Sequence, residues 1–319
     1  MSPEALAATP QAQAPGAGAA ALQRRQSQAL RSFLLVMLSS ACFAAMAIMT
    51  KHLQGQVPLL ELTFYRGAFG LIPLTVILLV RKIPWKAQDW PILVSRGVWG
   101  LLATLCYFLA IGKIPLALAV LLNYTSPIFA TLFAVVFLGE RATRASLGFL
   151  LLSIVGLYLL LHPSLRGDWH GYALGLCAGV LSGAAYATVK HLTRTTSPWL
   201  IVWSFNFIIS LGSLPGVFRS WPNRMDSEWP WLVGISLAGT AGQILMALGF
   251  RWTAVSRASV ATLSVLILTT LAGWWFWSET LTAGTLMGMA TILTGIIGLG
   301  IQQSEEIEED NGTKPLTIR

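Results

Sequence analysis

Residues 115–137 read PLALAVLLNYTSPIFATLFAVVF, twenty-three positions without an Asp, Glu, Lys or Arg. About twenty consecutive apolar residues in helical form cross the ~30 Å hydrocarbon core of a bilayer, so this stretch predicts a membrane-spanning helix. Similar runs lie on both sides of it. Residues 32–50, 62–80 and 93–111 precede it, and 145–161, 172–189, 199–218, 231–250, 258–277 and 283–301 follow. The breaks hold Pro58, Arg81-Lys82-Ile83-Pro84, Gly139-Glu140-Arg141, Pro163 and Trp221-Pro222-Asn223-Arg224. Proline, glycine and charge belong at a membrane interface, not in lipid. The fold class expected is all-α integral membrane with ten transmembrane helices.

Composition agrees. Of 319 residues, 55% are hydrophobic and 11% charged, against roughly 25% charged in soluble domains. The net charge of +8 is scattered between apolar runs, as cytoplasmic loops require, so the lipid bilayer is the partner expected and nucleic acid is not. Cys42, Cys106 and Cys177 sit in apolar runs without metal-ligand spacing and read as small buried hydrophobes. The four histidines fall at helix ends or in loops. With no His-Glu-x-x-His, no Gly-x-Ser-x-Gly and no loop cluster of Asp and His, the sequence offers no enzyme chemistry, and no cofactor or metal is implied. No charged ring or filter-like loop suggests a pore.

Residues 1–31, rich in Ala, Gln, Pro and Gly, are expected to form a disordered cytoplasmic tail, and 303–319 an acidic cytoplasmic tail. Fourteen Lys and Arg fall on the loops that share a side with the termini and five on the other side, while Arg66 and Arg96 lie within helices. This bias puts both termini in the cytoplasm of a bacterial inner membrane.

Self-comparison exposes a repeat. Lys51-His52-Leu53 recurs as Lys190-His191-Leu192, a shift of 139, and Pro58 recurs as Pro198 after one inserted residue. The same shift carries Leu116 to Val255, Ala119 to Ala258, Glu140 to Glu279, Leu147 to Leu286 and Gly156 to Gly295. Two five-helix repeats result, 32–162 and 170–302. Five is odd, so the second copy is inverted in the membrane, an arrangement found in transporters.

Pro115-Leu116-Ala117-Leu118-Ala119, Tyr124-Thr125-Ser126-Pro127 and Leu138-Gly139-Glu140 resemble the drug/metabolite transporter superfamily in its EamA-type branch. A weaker echo runs from Ala254-Val255-Ser256-Arg257-Ala258 to Ser278-Glu279. The resemblance implies two EamA repeats, a cavity lined by the first four helices of each, the fifth and tenth at the periphery, and amino-acid-like, nucleotide-like or amphiphilic substrates. Leu266 stands where the first repeat has Pro127, and Ser278 where it has Gly139. The kink expected at Pro127 is therefore not expected at its counterpart.

Polar groups inside spans are costly unless they face a cavity or a partner, which selects the candidate site. Arg66, with Asn206 at the matching position, is either an anion anchor or a structural arginine bonded to carbonyls or Glu61. Asn123, Tyr124 and Ser126 on the fourth span, Thr262 on the ninth, Gln243 opposite Thr104, and the amphipathic Tyr107, Tyr186 and Trp203 complete a substrate-binding set. Each of these also suits plain interhelical hydrogen bonding, and Gly175, Gly179, Gly183, Gly288, Gly295 and Gly298 suit helix packing. Glu61, Glu140 and Glu279 all lie near helix ends. Facilitated transport or exchange is thus at least as well supported as proton coupling, for which Glu61 is the acidic candidate. The readings behind these are a lipid-handling protein or an enzyme, and a homodimer is left open.

Overall fold

A computed structural model describes residues 16–53, 56–111, 113–114, 116–140, 143–161, 168–220, 228–278 and 280–312. They form helices α1 (Gly16–His52), α2 (Leu59–Val80), α3 (Trp90–Ile111), α4 (Leu116–Asn123), α5 (Ser126–Leu138) and α6 (Arg144–Leu161). The second half repeats the order as α7 (Trp169–Leu192), α8 (Pro198–Ser220), α9 (Trp229–Phe250), α10 (Val255–Ala261), α11 (Ser264–Trp277) and α12 (Ala283–Gly312). Among the described residues there is no strand. Nine segments among the described residues are long and apolar enough to cross a membrane, and a further apolar helix, Ala283–Leu299, is shorter.

The helices pack with a two-fold logic. The longest contacts run between α1 and α9, between α3 and α7, between α2 and α8, and between α6 and α12. Exchanging the two halves maps the first pair on the second and each of the other two on itself. Lipid offers no hydrophobic gradient between helices, so close approach rests on small residues. A Cβ on Gly156 would lie 2.9 Å from the Gly288 carbonyl oxygen, and one on Gly288 would lie 2.6 Å from that of Gly156. On α7, a Cβ on Gly179 would lie 2.6 Å from the Leu122 carbonyl, and one on Gly183 2.7 Å from the Ala130 nitrogen. Between α1 and α9, the Ser39 hydroxyl donates to the Gly242 carbonyl at 2.8 Å, and Ser32 donates to Gly249. Large apolar side chains such as Val80, Phe137, Phe218 and Trp275 turn outward, as a lipid-facing surface requires.

Four expectations change. The fourth and ninth spans are not continuous: each breaks after two turns, at Tyr124-Thr125 and at Thr262-Leu263. The first break has Pro127, which has no N–H to give to the Asn123 carbonyl. The second lacks a proline and breaks all the same, contrary to the expectation from Leu266. There the hydroxyls of Thr262 and Ser264 donate to the Ser259 and Ala261 carbonyls one turn back, which competes with the regular ladder. Residues 16–31, expected within a disordered tail, continue α1, consistent with the helix preference of an Ala/Gln/Leu-rich segment. Residues 1–15 lie outside the described set, as do Glu279 and residues 313–319. Outside these four changes, the acidic segment after residue 302 extends α12 to Gly312. Finally, Cys177 is exposed, with its sulfur 4.0 Å from that of the half-buried Cys106, instead of being buried.

At the start of α7, Asp168 caps the helix by accepting from the His170 backbone N–H at 3.2 Å. The His170 ring and backbone, with Lys113 on a neighbouring turn, hold the Asp168 carboxyl below the usual carboxylate range.

Candidate functional site

The two broken spans supply the centre of the polar core. Asn123 ends α4, and its side-chain oxygen accepts from the Ser182 hydroxyl of α7 at 3.2 Å. Tyr124, in the break itself, lies within electrostatic reach of Tyr186 on α7 and Tyr107 on α3. On the other broken span, the Thr262 side chain lies beside that of Tyr186. The Thr262 hydroxyl itself donates to the Ser259 carbonyl. Tyr186 thus stands between the two breaks, and its ring meets Phe250 edge-on at 5.7 Å.

A second group adjoins the first through Arg96, an electrostatic neighbour of Tyr186. Arg96 on α3 is only 3% exposed, and its Nη2 donates to the Gln243 side-chain oxygen on α9 at 3.0 Å. Its Nε has no hydrogen-bond partner among the described residues. The guanidinium lies over the Phe205 ring of α8, 4.2 Å from the centroid. Arg66 of α2, half-buried, approaches the same ring at 5.9 Å. Two glycines at matching places in the repeats leave room for these groups. A Cβ on Gly100 would come 2.9 Å from Arg96 Nη1, and one on Gly239 3.2 Å from Arg66 Nε.

The shared ring holds the two guanidinium carbons within about 10 Å of each other, where like charges repel by about 2 kcal/mol at an effective dielectric of ~20. Among the described residues neither guanidinium makes an ion pair, and the Arg66 side chain makes no hydrogen bond, to Glu61 or to a carbonyl. Lys190 shows the contrasting structural solution. It is 8% exposed, and its ammonium donates to the Thr253 carbonyl at 2.7 Å and stands 4.0 Å from Glu140. The other Glu140 oxygen accepts from the Val255 N–H at 2.8 Å, at the start of α10. This clasp ties the end of α5 in one repeat to α7 and α10 of the other.

The structure therefore brings Arg66, Tyr107, Asn123, Tyr124, Tyr186, Gln243 and Thr262 into one connected core. Ser126 is buried at the first position of α5, beside this group. Asn206 and Trp203 are placed elsewhere. Asn206 donates to Thr240 at 3.1 Å across α8 and α9, packed over Gly70. Trp203 donates to Thr75 at 2.9 Å and stacks on the exposed Phe207. Arg96 was missed by sequence reasoning, although the signal was present: it is the second charge inside an apolar run, and the argument that singled out Arg66 applies to it equally.

A polytopic helical bundle of two pseudo-symmetric halves around a polar core defines a membrane transporter. The EamA-like transporter family matches residues 30–162 and again 169–301, and the chain belongs to that family. It is 30% identical over 269 residues to the pseudopaline exporter CntI of Pseudomonas aeruginosa, a match that covers 83% of this chain and 94% of the exporter. It is 28% identical to an uncharacterized transporter of Archaeoglobus fulgidus, over 82% of this chain and 93% of that one. Human solute carrier family 35 member G1 is 23% identical over 66% of this chain and 62% of its own length. A crystal structure that is 21% identical superposes with a TM-score of 0.71, covering 88% of this chain and 98% of that chain, which shows the same fold.

Proposed function

We propose that the chain carries a small metabolite or drug across a bacterial inner membrane by alternating access, with both termini cytoplasmic. In this reading ten spans form two inverted five-helix repeats, Ala283–Leu299 being the tenth. The observation that carries it is the pairing of the repeats around Asn123, Tyr124, Tyr186 and Thr262, with the backbone broken on both sides of the core. Discontinuous helices meeting at a repeat interface are where transporters of this construction place substrate, and two inverted halves each adopt the other's conformation at similar energy. The basic bias puts the Glu140–Lys190–Val255 clasp on the cytoplasmic side, so the conformation described is held closed there. Similarity to CntI favours export.

Reconstitution tests this reading. Proteoliposomes preloaded with a transported solute should take up labelled solute by saturable counterflow, and Tyr186→Phe should slow that exchange by removing the hydroxyl that stands between the two broken spans. Linear, non-saturating flux would indicate a pore instead. Proton coupling is the second reading, favoured by the burial of Glu61 at 2% exposure. In that case an imposed pH gradient drives flux and Glu61→Gln abolishes the drive while leaving counterflow.

A further inference from the structure

Two arginines are kept inside this bundle without the compensation that its buried lysine receives. Lys190 has carbonyls and a carboxylate around it. Arg96 has one neutral amide oxygen, a ring face, and an Nε with no partner. Arg66 adds a second positive charge on the same ring and has no side-chain hydrogen bond among the described residues. A buried ion is tolerated when it is paired and its donors are satisfied. Here the unmet requirement is two anionic groups offering planar oxygen pairs, the form that guanidinium recognises with two parallel hydrogen bonds.

We propose that Arg66 and Arg96 bind a small organic dianion, a solute with two carboxylate or phosphate groups joined by a short body that rests against Phe205 and Tyr186. Each guanidinium takes one acidic group, and the spacing set by the shared ring selects the distance between them. Gly100 lets the Arg96 fork and the Phe205 ring pack against α3, and Gly239 lets Arg66 pack against α9. Gln243 engages one Arg96 nitrogen and leaves the Nε for the ligand. This deepens the transport reading and rests on it for its physiological meaning. Binding is measured without transport, however, so the two fail separately. A protein whose Asn123 and Thr262 become accessible from each side in turn, yet which ignores every dianion, loses this proposal and keeps the transport reading.

The experiment uses the purified full chain in nanodiscs of phosphatidylcholine. The probes are unbranched dicarboxylates from malonate to suberate, each beside its diamide. One narrow range of lengths should raise the unfolding temperature saturably, while the diamides do nothing. Arg66→Gln and Arg96→Gln should each weaken that binding by roughly tenfold or more, the cost of a lost charge-assisted contact. Without ligand, Arg96→Gln should unfold at a higher temperature than the wild type, because it removes an uncompensated buried charge. A structural arginine gives the opposite pattern, a lower unfolding temperature with the ligand shift intact. Should a Gln variant fail to fold, the Lys variants keep the charge but lose the fork, and they should retain only part of the shift. The proposal is overturned if no dicarboxylate stabilises the protein, if diamides serve equally well, or if the shift survives Arg96→Gln. It is also overturned if phosphatidylglycerol in the nanodisc stabilises the protein and dicarboxylates add nothing, since the acidic oxygens would then belong to a lipid headgroup.

Discussion

Ser278 leaves α11 in left-handed backbone, with φ at 54°, while Gly139 closes α5 in the same conformation at φ 66°. A Cβ makes that region costly for any residue but glycine. A Cβ on Gly139 would meet nothing within 4 Å, and Ser278 is exposed, so only the backbone cost differs between the two caps. Ser278→Gly should therefore stabilise the protein by about 1 kcal/mol and Gly139→Ala should destabilise it by a similar amount, read from detergent-solubilised unfolding curves. A loss of stability in Ser278→Gly would show that the serine makes a compensating contact. The sequence comparison exposed this pair as a mismatch between repeats, but the shared cap geometry could not be read from residue types. Arg96 was legible in principle as a charge within a span. What hid it was its place near the start of α3, where an arginine normally reaches back to the interface. Only the packing of Phe205 and Gln243 around it shows that it stays inside.

For single elements, the apolar runs located nearly every helix, because lipid demands long uncharged stretches and punishes anything else. The breaks at Tyr124-Thr125 and Thr262-Leu263 escaped for a definite reason. A hydropathy window averages over a whole span, and a two-residue turn whose threonine hydroxyl bonds a carbonyl one turn back leaves that average unchanged. Small-residue stripes carried more information. Gly156, Gly288 and Gly295 bring α6 and α12 into backbone contact, so these helices form a tight pair of counterparts. Gly288→Val has no space to occupy, with Gly156 and Leu160 backbone against it. It should cost about 1–3 kcal/mol, the usual range for overpacking, and should lower the yield of folded protein, whereas Gly148→Val, where a Cβ meets nothing within 4 Å, should be tolerated. Equal behaviour of the two variants would argue against close α6–α12 packing.

Across the whole molecule, the 139-residue repeat was the most informative reading, and the packing gives it physical sense. Lys190 and Glu140, two of the residues that recur, meet in one clasp between repeats. Function beyond the fold was less legible, because Asn206 and Trp203 have the same residue chemistry as binding groups and are used to hold helices together. The account of transport depends on both broken spans lining one site that opens to each side in turn. The most direct test places single cysteines at Asn123 and Thr262 in a chain lacking Cys42, Cys106 and Cys177, in right-side-out and inverted vesicles. Both positions should react with an impermeant thiol reagent from either side, with reactivity moving to the cytoplasmic side when Glu140→Gln loosens the clasp. Reactivity confined to one side in every condition, or absent at both positions, would contradict alternating access around this core.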